Sequence, residues 1–239
     1  MMACGSRGWT HMALLGAVLA LALPAAATGA APRNLFLVGG QFSANGDSAY
    51  LGSLIPLAGS RLGQGWFVRP WLQYTTYRYV GGPGLVKAHV PGAAFGFGYG
   101  WSGAGWSRAL SIAPGWQNTH LSPNDPGARN RGGRAFVLVQ AEFSRAFTPR
   151  LAGELIANYS IGPRQYWSRA RLGYAFTPRF SFGPAAGYQG GPDYHIWRAG
   201  LFSGWRLTRH LRLDTGAGYL KSSGVSGVGY VSLSLSMGY

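Results

Sequence analysis

From Asn34 to the final tyrosine, apolar and small polar residues alternate in short runs, with Gly, Pro, Asn and Asp marking the breaks. The last run is the cleanest. Val231, Leu233, Leu235, Met237 and Tyr239 alternate with Ser232, Ser234, Ser236 and Gly238. A period of two puts alternate side chains on opposite faces of an extended strand. No stretch beyond residue 30 carries a helical stripe.

The same reading applied along the chain predicts twelve strands. The first five cover Asn34 to Ser43, Ser48 to Ile55, Trp66 to Tyr79, Leu85 to Tyr99 and Trp106 to Thr119. The next five cover Ala135 to Phe147, Leu151 to Tyr159, Tyr166 to Phe176, Arg179 to Gln189 and Tyr194 to Trp205. Leu211 to Lys221 and Val228 to Tyr239 complete the set. Pro70, Pro91 and Pro114 interrupt three of the early strands, and proline removes a ladder hydrogen bond. Misreading the pair around Pro91 to Pro114 would leave ten strands.

The connections alternate in kind. Phe147-Thr148-Pro149-Arg150 recurs as Phe176-Thr177-Pro178-Arg179, with Leu207-Thr208-Arg209-His210 as a variant. Looser loops fall between them at Ser160 to Gln165, Gly190 to Asp193 and Ser222 to Gly227, and the longest loop is Leu121 to Gly133. Tight turns at one end and variable loops at the other are expected of an up-and-down meander.

The amino-terminal segment has a different pattern. Arg7 precedes an apolar run from Met12 to Leu23, followed by Pro24 and a series of small residues ending at Ala30. This predicts a secretory signal peptide over residues 1–30, with the run too short for a transmembrane helix. Residues 31–239 then form one domain. Cys4, the one cysteine, falls within the signal, so the mature chain has no disulfide. An exported chain of strands can occupy a bilayer only if its sheet closes, because lipid offers backbone amides no partners. The expected architecture is an all-β, antiparallel up-and-down outer-membrane β-barrel of twelve strands.

Composition supports that architecture. There are 39 Gly, 13 Tyr, 12 Phe and 9 Trp, while charged residues amount to 11%. So low a charged fraction is unusual for a soluble domain, and the abundance of aromatics argues against disorder. Trp66, Tyr79, Trp106, Tyr159, Tyr166, Tyr194 and Trp205 sit near strand ends, as interfacial girdles would. The formal charge of +15 would suit a nucleic-acid binder, but export and the lack of a dense basic cluster weigh against nucleic acid as a partner.

With apolar faces toward lipid, the opposite faces carry the chemistry. Arg69, Gln73, Glu142, Glu154, Arg169, Arg171, Arg198, Arg212 and Asp214 are then luminal and are the ligand-contact candidates. Opposed acids and arginines can brace the wall, or can line a channel for an anionic or polyhydroxylated ligand. Trp71, Tyr74, Tyr77 and Trp197 are aromatic candidates for stacking on sugar faces.

Evidence for an enzyme is thin. His89, His120, His195 and His210 are scattered and no cysteine accompanies them, so no metal or cofactor is expected. Glu142 and Glu154 flank one turn as a glycosidase pair could, but no further element supports a cleft. His120 and Ser122 resemble the histidine and serine of outer-membrane lipid A deacylases, which are eight-stranded barrels with an acidic partner. Pro123 ends that strand, and Glu142 falls about a membrane's thickness away. No catalytic set assembles.

One resemblance spans the first third and continues in style through the terminal strand. Phe36 to Phe42 (FLVGGQF), Asp47 to Leu54 (DSAYLGSL) and Gly65 to Tyr79 (GWFVRPWLQYTTYRY) resemble BcsS, the cellulose biosynthesis protein family of alphaproteobacteria. That resemblance implies an exported, non-enzymatic accessory to cellulose biosynthesis or secretion in the bacterial outer membrane. Outer-membrane lipid would surround it, and β-glucan and the cellulose secretion machinery would be its partners. A generic porin-like or structural surface barrel is the other reading.

Overall fold

Alternation becomes a closed wall. The computed structural model describes residues 33–239, and the expected export signal lies outside them. Twelve strands follow in order: β1 (Leu35–Ser43), β2 (Ser48–Pro56), β3 (Gly65–Gly81), β4 (Gly84–Gly103), β5 (Trp106–Ser122), β6 (Gly132–Ala146), β7 (Leu151–Ile161), β8 (Gln165–Thr177), β9 (Phe180–Gly190), β10 (His195–Arg206), β11 (Leu211–Ser222) and β12 (Val228–Gly238). Each pairs antiparallel with its neighbours in sequence, and β12 returns to β1 to close the barrel. The count is the expected twelve.

The terminal strand seals the wall on both sides. Val38 faces Leu235 and Phe42 faces Val231 across the β1 seam, while Leu213 faces Leu235 on the β11 side. Beyond the strand, Asn34 and Tyr239 exchange backbone hydrogen bonds of 2.8 and 3.1 Å, so the seam is paired to its last residue. Val231, Leu233 and Tyr239 are exposed on the outer surface, the side that meets lipid.

Four prolines sit inside strands, and each is accommodated in the same way. Pro70, Pro91, Pro114 and Pro184 keep a continuous ladder on one side, opposite Phe95, Tyr74, Val137 and Leu201 respectively. On the other side the pairing skips residues, between β2 and β3, β4 and β5, or β8 and β9. A proline lacks only one donor, so one local gap per proline is enough.

The repeated turns share one device. Thr148 Oγ1 accepts hydrogen bonds from the backbone N–H of Arg150 and Leu151, at 3.2 and 3.0 Å. Thr177 does the same for Arg179 and Phe180, and Thr208 for His210 and Leu211. A threonine hydroxyl that satisfies two turn amides explains why the four-residue turn recurs. These turns lie at the end that holds Asn34 and Tyr239. Short turns mark the periplasmic end of an outer-membrane barrel, so the opposite end, which carries the longest loop between β5 and β6, faces outward from the cell.

Candidate functional site in the barrel lumen

The inner wall surrounds a cavity of about 710 Å³. All nine luminal candidates line it: Arg69 and Gln73 on β3, Glu142 on β6, Glu154 on β7, Arg169 and Arg171 on β8, Arg198 on β10, and Arg212 and Asp214 on β11. Gln73 apart, they fall into two groups on opposite parts of the wall.

The first crosses β4. Arg69 is 5% exposed, pairs with Glu142 at 2.7 Å and donates to Ser111 Oγ at 2.9 Å. Gln140 donates to the same Glu142 oxygen at 2.6 Å. This reach is possible because β4 turns Gly96 and Gly98 inward, where a Cβ on Gly98 would lie 2.5 Å from the Phe67 ring. Glycine there lets side chains of β3 lie flat across β4. Gln73 lines the cavity beside Gly92.

The second network occupies β7 to β11. Glu154 pairs with Arg169, while Asp214 is shared between Arg212 at 2.8 Å and Arg171 at 3.8 Å. Arg198 instead donates to two neutral acceptors, the amide oxygens of Gln41 and Gln189. Its guanidinium and that of Arg169 both lie near the Trp167 ring, at 5.5 and 5.8 Å from its centroid. Arg171 lies over Phe202 at 4.9 Å.

Aromatic side chains divide by strand phase. Trp71 and Tyr77 project inward and line the cavity, whereas Tyr74 and Trp197 are exposed on the outer surface. Trp71 stacks on Tyr50 with ring centroids 5.0 Å apart and planes inclined by 12°.

A buried cluster packs across the outer end. Tyr77, Tyr79, Val86, Ala88 and Val90 of the β3–β4 hairpin pack with Ala128, Tyr194, Ile196, Leu220 and Tyr230 into one buried cluster. The hairpin leans over the short β1–β2 turn, where Thr76 and Arg78 donate backbone hydrogen bonds to Asp47 and Asn45. Ser222 of β11 reaches it from the far side, donating to the Arg78 carbonyl at 3.2 Å. Two carboxylates fasten the long loop above. Asp125 accepts from the Tyr79 hydroxyl at 3.0 Å, and Asp193 accepts from the backbone N–H of Arg129 and Asn130.

Tyr79 and Tyr194 therefore belong to this cap and not to an interfacial girdle. Trp66, Tyr159 and Trp205 do remain exposed on the outer surface. Strand phase carried the signal, since Tyr79 is in step with Arg69 and Gln73, and Tyr194 with Arg198. The lumen continues below the cap to Leu35, Gly63 and Ser107 at the periplasmic end. A shallow outer groove bounded by Tyr79, Asp125, Ala128 and Asp193 shares no lining residue with it.

Hydrolytic chemistry is not assembled. His120 is exposed and hydrogen-bonds Asn118 at 2.8 Å, whereas Glu142 is inside the barrel on Arg69. Glu142 and Glu154 are each held by an arginine. Among the described residues, no group of three or more His, Cys, Asp or Glu could hold a metal.

Several solved barrels share this architecture. The chain is similar to the CymD monoaromatic hydrocarbon channel, with a TM-score of 0.54 at 8% identity over 100% of this chain and 95% of that one. It is similar to the NanC porin at 0.52, with 10% identity over 86% and 100%. The translocator domain of the autotransporter NalP from Neisseria meningitidis scores 0.50, with 10% identity over 96% of each chain. Such low identities speak to fold alone. No curated protein matches the sequence. The family model described as cellulose biosynthesis protein BcsS matches residues 35–239. Twelve closed strands and that match place the chain in the BcsS family, as a non-enzymatic outer-membrane barrel linked to cellulose biosynthesis.

Proposed function

We propose that the lumen receives a β-glucan segment from the periplasmic side and holds it during cellulose secretion. The observation that carries this reading is the stacked Tyr50–Trp71 pair inside a cavity also lined by Gln41, Gln73, Gln140 and Asn158. An aromatic face suits the apolar face of a glucose ring, and amides and guanidinium groups suit its hydroxyls. The cavity volume falls in the range typical of small-ligand sites. The nine luminal candidates act here in two ways. Gln73 and the arginines contact the glucan, while Glu142, Glu154 and Asp214 orient the arginines.

The test is extracellular cellulose output, by dye binding and secreted-glucan assay, in a strain that lacks this gene and keeps its synthase active. Loss of output, restored by the intact gene but not by Trp71→Ala, is the expected result. Unchanged output in the deletion strain across several growth conditions would sink the proposal. A generic porin-like barrel is disfavoured by the buried cluster that packs across the outer end.

A further inference from the structure

Charge in the lumen is unbalanced, and the imbalance is local. Five arginine side chains enter the cavity, Arg69, Arg169, Arg171, Arg198 and Arg212, against three carboxylates: Glu142, Glu154 and Asp214. The other three acids of the chain, Asp47, Asp125 and Asp193, all lie in outer loops. Arg69 and Glu142 neutralise one another on the β3–β6 side. The excess of positive charge therefore falls on β8, β10 and β11, where Arg169, Arg171 and Arg212 share Glu154 and Asp214 and Arg198 has neither.

Register brings two of these cations to one place. Arg169 of β8 and Arg198 of β10 both sit opposite Gly187 of β9, one on each side. A Cβ on Gly187 would lie 2.5 Å from Arg198 Nε, so Arg198 lies over the bare glycine. Two inter-strand spacings separate the backbones by about 10 Å, a span that two arginine side chains can close on a shared ligand. Trp167 forms the floor beneath both guanidinium groups. Arg198 makes no ion pair among the described residues. The Nε atoms of Arg169, Arg171 and Arg198 are also buried without a hydrogen-bond acceptor.

Like charges gathered on a low-dielectric wall repel, and they focus a positive potential into the space before them. A guanidinium pair is also a geometric match for a planar or tetrahedral oxyanion, which it can hold through paired N–H bonds. We propose that the β8–β10 wall, centred on Arg169, Arg198 and Trp167, is a binding site for an oxyanion, a carboxylate or phosphate carried on the saccharide. This rests on the reading that a saccharide enters the lumen. The anionic group docks between Arg198 and Arg169, with Gln189 and Gln165 close by to take neighbouring hydroxyls.

The test uses the folded barrel in detergent micelles, with binding of three probes followed by tryptophan fluorescence and calorimetry. The probes are cellobiose, cellobiouronic acid (the same disaccharide carrying one carboxylate) and inorganic phosphate. Cellobiouronic acid is expected to bind about tenfold more tightly than cellobiose at low salt. That advantage should shrink with added salt and vanish in Arg198→Gln and Arg169→Gln, each shown to be folded by its shifted mobility on an unheated gel. Arg198→Lys should keep part of it.

Equal binding of the two disaccharides would overturn the proposal while leaving the saccharide reading intact. An advantage unchanged in both glutamine variants would overturn it too. Phosphate bound in an Arg198-dependent way, with neither sugar binding, would uphold an oxyanion site and sink the saccharide reading. Failure of all three probes to bind would overturn both.

Discussion

Tyr77 of β3 and Tyr194, the residue before β10, lie face to face with ring centroids 4.0 Å apart and planes inclined by 20°. Four strands, β2, β1, β12 and β11, separate them around the barrel, so the contact spans the mouth. In planar bilayers the wild-type barrel is therefore expected to conduct poorly, and Tyr77→Ala combined with Tyr194→Ala to raise conductance several-fold. Wild-type conductance equal to that of an open porin of similar strand number would contradict the cap.

Tyr194 also gives the cap a pH limit. It lies in the loop outside the spanning strands, and burial, helped by repulsion from Tyr166 and Asp193, holds its phenol above the ordinary 10.0. A folded value above the unfolded one means that the neutral phenol's contribution is fully present below the unfolded value and is lost as pH rises through the folded value. Conductance should stay flat from about pH 6 to 9 and rise at more alkaline pH. Tyr194→Phe cannot ionise and should weaken the alkaline rise.

The Arg69–Glu142 pair tests the inner wall. Arg69→Met leaves Glu142 with Gln140 alone and is expected to lower stability by about 2–4 kcal/mol, read from the denaturant midpoint in micelles. Adding Glu142→Leu should recover at least half of the loss, because the stranded carboxylate is the main cost. No recovery would show that the two residues are not coupled.

The threonine turns should be small and additive. Thr148→Val, Thr177→Val and Thr208→Val each remove one acceptor from two turn amides, for about 0.5–1.5 kcal/mol apiece. The sites share no partners, so the triple variant should lose roughly the sum. Cellulose output should be unaffected in each folded single variant.

The fold is legible in the sequence wherever one face is lipid and the other lumen. Val139, Leu155, Tyr174 and Leu233 mark the outward phase without ambiguity, and all four are exposed on the outer surface. Legibility drops where prolines interrupt β3 to β5, because a one-sided ladder gap and a strand end look alike in sequence. It fails at the cap. A tyrosine near a strand end has the same spelling whether it faces headgroups or seals a mouth, and only its phase with Arg69 or Arg198 separates the two. Which arginine lacks a carboxylate could not be read at all, because the partners of Arg69 and Arg171 come from strands distant in sequence.

The cap also bears on the cell that carries this protein. A barrel whose outer end is packed beneath stacked tyrosines is expected to add little leak to the envelope, however many copies are made. Overproduction should leave cells no more sensitive to small hydrophilic antibiotics than their parents. On the proposed reading, the protein can be made at high density without weakening the permeability barrier that surrounds it.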